Sequence, residues 1–298
     1  MSGKSFQPLF GLGALLPLDG LSVSAAGAYG LRKLRTAYAG NCIKVTTSAA
    51  GNATQDIGFV GNNLDTASLA TFLGANTGTI NTWYDQSGNA RNFTQATLAL
   101  QPVIYTSSAV VAQINSKPTI SFTAASTQWL DGGTNSTNNL QPAASAETFF
   151  GVWRPTAAAT AGNANDLSGV GSNNSAANGM MTGYDNTPRL ATGMASLDAT
   201  IATGAFPFTD MVMVRTTALT TGTALTLYRN GSGSTASGTW SNNQGNGQNM
   251  NISRNFRPTY FTGYMAELYW FASQLSQADS NVLANNAASN FALTWTNI

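Results

Sequence analysis

The chain has 298 residues, with 13 lysines and arginines, 12 aspartates and glutamates, one cysteine and no histidine. The lack of histidine excludes Ser-His-Asp and Cys-His catalysis and histidine-ligated zinc, and the single cysteine, Cys42, cannot form a disulfide within the chain. A formal charge of +1 predicts no electrostatic attraction to nucleic acid.

Charged residues are unusually rare, at 8% of the chain, whereas typical soluble proteins have about 25%. Hydrophobic residues make up 43% and aromatic residues 10%, so the sequence predicts a folded core and not a disordered chain. A surface with few charges favours packing against neighbouring molecules or neutral polar ligands such as sugars. The alternative is a secreted β-sandwich whose surface is rich in amides and hydroxyl groups.

The first 28 residues predict an extended arm or anchor. Their apolar stretch, Leu9 to Leu18, is broken by glycines and by Pro17. It is shorter than the about 20 apolar residues that a membrane-spanning helix needs. A signal peptide is the alternative interpretation of this stretch. We therefore predict an arm over residues 1–28, no membrane span, and one domain over residues 29–298.

The first elements of the domain are a mixture of helical and strand patterns. Residues 29–38 carry leucines at helical spacing, and residues 43–47 alternate as in a strand. Residues 65–74 predict a short helix, because an Asp can cap its start and a Gly can end it. Residues 80–84 predict another strand, followed by a turn over residues 85–89.

From residue 101 onward the sequence is a series of short strands with turns rich in Gly, Asn and Ser. The strands are predicted at Pro102–Tyr105, Pro118–Phe122, Thr148–Trp153, Asp210–Arg215, Leu225–Asn230 and Tyr264–Phe271. This spacing predicts an all-β sandwich or jelly roll with short peripheral helices. Segments 131–147, 156–179 and 231–250 are predicted to be long loops that carry function. A C-terminal helix is predicted to start at Ser276.

Two groups of motifs resemble known families. Leu227–Gly231 and Phe261–Leu268 resemble a laminin-G or concanavalin A-like domain, in which they would be a strand with its turn and a core strand. Ala28–Arg32 and Trp83–Gly88, the latter with the string Tyr-Asp-Gln-Ser-Gly, resemble the catalytic domain of fungal-type α-L-arabinofuranosidase B. Virion proteins of tailed bacteriophages contain similar front halves. The resemblance implies a concanavalin A-like jelly-roll β-sandwich.

The resemblance argues against hydrolysis. The family's nucleophile is a Glu after an Asn-Gly-x-Met string, but here Asn178–Met181 is followed by Thr182. The family's acid/base is an Asp before the last Phe-x-Gly strand, but residues 251–255 contain no carboxylate. Because a retaining glycosidase needs both carboxylates, no catalytic residue is predicted.

Three residues are candidates for carbohydrate binding. Trp129 and Trp240 are possible stacking platforms, although aromatic residues in a sandwich usually fill the core. Asp85, in the Tyr-Asp-Gln-Ser-Gly turn, is the polar candidate, and the alternative is that it caps the turn by accepting backbone N–H groups.

The remaining acidic residues give weaker patterns. Glu267 lies in an apolar strand, where it would be buried and paired with Arg229 or Arg257, or else point outward. Asp185 and Asp198 flank a region rich in Gly and Met. They leave a structural calcium ion open as an alternative, but no cofactor or metal site is predicted.

The leading hypothesis is a non-enzymatic structural protein of a phage virion, of the capsid-decoration or tail-fibre type. Its arm would bind other virion proteins, and it would form a homo-oligomer, with a trimer favoured by analogy. The second hypothesis is a carbohydrate-binding module for neutral glycans, which would be secreted or would bind cell-surface glycans from the virion. An arabinofuranosidase-like hydrolase is the third.

Overall fold

The computed structural model describes residues 15–106, 109–134, 140, 146–158, 168–172, 181–184, 189–194, 197–217, 223–238, 249–254 and 259–298. The strands of this part of the chain are β1 (Gly27–Gly30), β2 (Ile43–Thr47), β3 (Thr54–Ile57), β4 (Phe59–Val60), β5 (Asn63–Leu64), β6 (Gly78–Trp83), β7 (Phe93–Thr94), β8 (Val103–Thr106), β9 (Ala109–Val110), β10 (Ile120–Phe122), β11 (Leu130–Thr134), β12 (Glu147–Pro155), β13 (Ser168–Ser172), β14 (Met181–Tyr184), β15 (Arg189–Met194), β16 (Leu197–Ala202), β17 (Asp210–Thr216), β18 (Thr223–Arg229), β19 (Ser232–Gly238), β20 (Asn249–Ile252) and β21 (Gly263–Phe271). The described helices are α1 (Thr66–Leu73), α2 (Gln277–Phe291) and the 3-10 turns Leu98–Leu100 and Ala124–Ser126. No helix among these residues is long and apolar enough to cross a membrane.

All the described strands except β4 and β5 form one antiparallel sheet that folds back on itself into two layers, and β4 and β5 form a separate hairpin. The back layer runs in the order β19-β18-β17-β12-β21, and the other edge of β21 pairs with β1 and β10. The front layer runs in the order β3-β2-β6-β7-β11-β20-β13-β14-β15-β16. Strand β8 pairs with both β6 and β10 and so joins the layers. The predicted concanavalin-like sandwich class is confirmed.

One apolar cluster lies between the two layers, and a second lies between the back layer and α2. The strands of the back layer contribute to both clusters. On β12, Phe149 and Trp153 belong to the cluster between the layers, whereas Phe150 and Val152 face α2. Because successive side chains of a strand point to opposite faces, a strand covered on both sides is apolar nearly throughout. The near-continuous burial of β12 follows from this position.

Both predicted helices are confirmed, and their ends follow the capping residues. At α1, the side chain of Asp65 accepts a hydrogen bond from the Ser68 backbone N–H at 2.9 Å, and Gly74 follows the last turn with φ of 55°. At α2, the Ser276 hydroxyl accepts from the backbone N–H of Asp279 at 3.0 Å. Leu283 and its neighbours on the same helical face are buried against the back layer.

Two local predictions are wrong. The leucines of residues 29–38 do not form a helix: Gly27–Gly30 is strand β1, which pairs with β21, and the rest is bends and turns. In the three segments predicted as loops, the described residues include β13, β19 and parts of β11, β12 and β20, and most of the other residues of these segments lie outside the described part of the chain. Strands β11, β13 and β19 are rich in Gly, Ser and Thr, so they lack the apolar alternation by which strands are recognised.

Residues 15–28 of the predicted arm lie against the domain, while residues 1–14 lie outside the described residues. Ala26 donates its backbone N–H to the carbonyl oxygen of Trp270 at 2.7 Å. The hydroxyl of Ser22 donates to the carboxylate of Asp279 at 2.6 Å. Leu18 packs against the cluster under α2. The arm from residue 15 onward is therefore joined to the sandwich by both apolar and polar contacts.

Candidate functional site

The outward face of the front layer carries a row of polar side chains, which we call the outer row. Alternation along each strand places these residues opposite apolar neighbours such as Trp83, Phe93 and Leu130, which belong to the cluster between the layers. The outer row consists of Asp56, Lys44, Thr82, Thr94, Asp131 and Asn251.

The register of the strands places members of the outer row side by side. Lys44 pairs with both Asp56 and Thr82, and Thr94 pairs with both Thr82 and Asp131. Asp131 in turn pairs with Asn251 on β20. Because neighbouring strands lie about 4.8 Å apart, the row is a continuous track of hydroxyl, carboxylate and amide groups across five strand pairings. A hydroxyl-rich ligand lying across the strands could form hydrogen bonds to several of these polar groups at once.

Asn251 is the most unusual member of the outer row. Its side chain is 1% exposed, yet neither its amide nitrogen nor its amide oxygen has a hydrogen-bond partner in the described part of the protein. Its backbone neighbour on β13 is Gly171, which has no side chain to serve as a partner. An unsatisfied buried amide costs about 1–3 kcal/mol. A ligand that supplies one donor and one acceptor would remove this cost.

Asp131 lies beside Asn251 and is held in place by local bonds. Its Oδ1 accepts the backbone N–H of Gly133 at 2.8 Å, and its Oδ2 accepts from Nδ2 of Asn249 at 3.4 Å. The backbone carbonyl of Asp131 also accepts from the hydroxyl of Thr94 at 3.5 Å. The carboxylate is partly exposed, so it keeps acceptor capacity for a ligand hydroxyl group.

Trp129, one of the two predicted stacking residues, is half-buried on the same face. The guanidinium carbon of Arg254 lies 4.7 Å from the centre of its ring, a cation–π contact. Nε of Arg254 is buried and has no hydrogen-bond partner among the described residues. One face of the Trp129 ring is therefore already covered. The pair borders the Asn251 end of the outer row, because Trp129 directly precedes β11 and Arg254 follows β20.

At the other end of the row, Lys44, Asp56 and Tyr84 form a polar group. Nζ of Lys44 lies 3.9 Å from Oδ1 of Asp56, and the Tyr84 hydroxyl donates to the same oxygen at 2.6 Å. Burial and the hydrogen bond to Asp56 together raise the pKa of Tyr84 above its ordinary value. This end therefore presents a compensated charge pair and an uncharged phenol.

Asp85, the polar residue singled out in the sequence, caps the turn after β6 and is 3% exposed. Its carboxylate accepts the backbone N–H groups of Ala28 at 2.9 Å, Ser87 at 2.8 Å and Arg91 at 3.1 Å. The Ser87 hydroxyl is a fourth donor, at 2.8 Å. These bonds occupy the lone pairs of both oxygens and join the turn to β1. The geometry is that of a structural turn, and it leaves little acceptor capacity for a sugar.

The structure places several other predicted residues away from the outer row. Thr182, at the position of the family nucleophile, is 2% exposed and bonds to the Thr192 hydroxyl at 2.9 Å. It faces inward, because its cross-strand partner on β13 is Val170 of the cluster between the layers. Trp240 and Asp185 lie outside the described residues. Within the described residues, no group of three or more potential metal ligands is found.

Of the two predicted partners of Glu267, Arg229 is wrong, and the prediction for Arg257 is not tested by the described residues. Oε1 of this fully buried carboxylate lies 2.5 Å from Nε of Arg32, and its Oε2 accepts from the Tyr269 hydroxyl at 2.8 Å. Arg229 instead pairs with Asp210 at 2.8 Å, and position 257 lies outside the described residues. The partner could not be foreseen because the pairing of β1 with β21 brings together positions that are far apart in the sequence.

The two carboxylates of the outer row are too far apart to act together on one glycosidic bond. Asp56 and Asp131 are separated by four strand pairings, which is about 19 Å along the sheet. Glycosidases hold their two carboxyl groups about 5–10 Å apart. The described part of the row therefore has the polar groups for binding a sugar but lacks a catalytic pair.

Comparison with solved structures shows the fold. The chain is similar to an arabinofuranosidase complexed with arabinofuranosyl-alpha-1,2-xylobiose, with 15% identity, a TM-score of 0.64, and coverage of 91% of this chain and 64% of that one. It is also similar to a mutant GH54 α-L-arabinofuranosidase soaked with 4-nitrophenyl α-L-arabinofuranoside, with 16% identity, a TM-score of 0.59, and coverage of 88% and 62%. The chain thus spans less than two thirds of these structures. No family model and no curated protein matches the sequence.

The outer row was missed in the sequence, although one signal for it was present. In β20, Asn249 and Asn251 alternate with the apolar residues Met250 and Ile252. This pattern indicates a strand with one apolar and one amide face. The short length of β20 and the Asn-rich segment before it hid the alternation.

Proposed function

We propose that this protein is a carbohydrate-binding β-sandwich that binds a neutral glycan across the outer row without hydrolysing it. The observation that carries the proposal is the amide of Asn251, which is buried beside Asp131 at one end of the outer row and has no hydrogen-bond partner among the described residues. A side-chain amide both donates and accepts, and so does each sugar hydroxyl group. Neighbouring Asp131 and Thr94 extend the same chemistry along the row.

The charges around the row favour a neutral ligand. Lys44 is paired with Asp56 at one end, and Asp131 at the other end is balanced by Arg254 on the same face. The described residues of the row, together with Arg254, therefore carry no net charge that would attract an anion or a cation. The overall composition points in the same direction, because only 8% of the residues are charged.

The proposal that the protein does not hydrolyse its ligand rests on the arrangement of the carboxylates. Asp56 and Asp131 are four strand pairings apart, and Thr182 faces the interior. The arabinofuranosidase structures support the choice of a sugar as ligand by analogy of fold. Whether the sandwich belongs to a virion, and whether it forms a homo-oligomer, remain predictions on which neither the fold nor the comparisons bear.

Binding is tested by a glycan array of neutral oligosaccharides, followed by titration calorimetry with the best glycan. Asn251→Ala should weaken binding by about 5- to 100-fold, because a hydrogen bond to the ligand contributes about 1–3 kcal/mol in a buried site. The matched control is Asn285→Ala, an exposed residue of α2 on the other side of the molecule. Unchanged affinity in Asn251→Ala, or the same loss in both variants, would show that the glycan binds elsewhere.

Hydrolysis is tested with 4-nitrophenyl α-L-arabinofuranoside and with the glycan found on the array. We expect no release of 4-nitrophenol above the rate of the buffer. Turnover that disappears in Asp131→Asn would show that the outer row is a catalytic site, and the non-hydrolytic part of the proposal would be wrong.

A further inference from the structure

A groove lies beside α2, away from the outer row. This groove has a volume of about 530 Å³, within the range of small-molecule sites. It is bounded by Leu15, Leu16, Arg32, Asn62, Asn63, Val282, Asn286, Ser289 and Asn290. Helix α2, the segment before β1 and the turn between β4 and β5 thus form its walls.

The floor of the groove is a fixed and charge-compensated guanidinium group. Nε of Arg32 donates to Oε1 of Glu267 at 2.5 Å, and its Nη2 donates to Oδ1 of Asn286 at 2.8 Å. Glu267 is 0% exposed, and the hydroxyl of Tyr269 donates to its second oxygen. Arg32 is therefore held in place at the floor of the groove by Glu267 and Asn286. A smaller cavity of about 30 Å³, the size of a water molecule, lies against the same ion pair.

The walls combine amide groups with aliphatic surface. Asn62 and Asn63 are exposed at the turn, and Asn290 projects from α2 on the opposite wall. Leu15 is 62% exposed and Val282 43%, which makes them two of the four large hydrophobic residues exposed among the described residues. Amides that both donate and accept, beside a small apolar surface, match a molecule with hydroxyl groups and C–H faces.

From this arrangement we propose that the groove is a second binding site, for a neutral polyhydroxylated molecule the size of a mono- or disaccharide. An anion is disfavoured, because Glu267 already neutralises the guanidinium group at the floor. The site is independent of the outer row, since it shares no residue with it and lies on the opposite layer.

The test is a titration of the isotope-labelled full chain with glucose, galactose, arabinose, maltose and glucuronate, followed by NMR. Neutral sugars at about 50 mM should shift the backbone amides of Asn63 and Asn290 saturably, since specific but weak binding has a Kd of about 1 mM. Ser289→Trp, which fills the groove from an exposed position, and Asn290→Ala should each weaken binding at least about fivefold. Asn285→Ala, on the same helix but outside the groove, should leave binding unchanged.

Four results would overturn the proposal. The first is the absence of saturable shifts at the groove with every neutral sugar. The second is stronger binding of glucuronate than of glucose, which would identify an anion site at Arg32. The third is an equal loss of binding in the Asn290→Ala and Asn285→Ala variants. Shifts that disappear in Asn251→Ala but persist in Ser289→Trp would assign the sugar to the outer row and would likewise refute a second site.

Discussion

Replacing Glu147 by glutamine should stabilise the protein at alkaline pH. Glu147 is the first residue of β12 and is 2% exposed, and neither of its carboxyl oxygens has a hydrogen-bond partner among the described residues. Burial raises the pKa of this carboxyl group from 4.5 to about 8. At neutral pH the folded protein therefore keeps the proton, whereas the unfolded chain releases it.

The sign and size of the effect follow from the difference in bound protons. The stability contributed by Glu147 is fully present below the unfolded pKa of 4.5 and is lost as pH rises through the folded pKa of about 8. The loss is about 1.4 kcal/mol per pH unit in this window, about 5 kcal/mol in total. Glutamine has nearly the same shape and does not ionise, so the variant should not lose this stability.

The assay is urea denaturation of the wild-type protein and the Glu147→Gln variant from pH 4 to pH 9. The two proteins should differ little at pH 4, and the variant should become more stable by several kcal/mol at pH 9. Asn285→Ala, at an exposed residue without a titratable group, is the control, and its difference from wild type should be constant with pH. A difference between wild type and Glu147→Gln that is constant with pH would refute the buried, protonated carboxyl group.

Two further pairs of substitutions test packing by urea denaturation. Leu283→Ala, at a fully buried residue of α2, should cost about 2–5 kcal/mol because it leaves a cavity, whereas Val282→Ala, at a residue that is 43% exposed, should cost less than about 0.5 kcal/mol. Gly231→Ala should be severely destabilising, because its Cβ would lie 1.9 Å from the carbonyl oxygen of Thr296. Gly204→Ala meets no atom within 4 Å and should cost only the strain of a positive φ, about 1–2 kcal/mol. Equal losses within either pair would contradict the corresponding contact.

The sequence was sufficient for the elements that local chemistry defines. Asp65 and Ser276 cap helices where their patterns predicted them, and the apolar strands β12 and β21 were recognised within a few residues of their ends. Strand β19 was not predicted, because Ser232–Gly238 contains only one apolar residue. The segment is a strand because it pairs with β18. Its structure is imposed by a neighbour, which a local pattern cannot show.

The candidate sites were harder to predict than the fold. Among the residue types that are conspicuous in the sequence, Asp85 caps a turn, and the ring of Trp129 is in contact with the guanidinium group of Arg254. The sequence does not distinguish Asn251 from other asparagines, because asparagine is abundant in this chain. Its significance depends on burial and on the absence of a bonding partner in the described part of the protein, and both arise only when β11 and β13 flank β20.

The pairing of β1 with β21 has a consequence for how the chain acquires its structure. Gly27 forms its ladder with Trp270, so β1 is synthesised long before the strand with which it pairs. Contacts of such long sequence separation slow folding. Until β21 is synthesised, β1, β10 and β12 lack the strand that they share, and their apolar side chains stay open to solvent. The back layer can therefore be completed only after β21 has been synthesised.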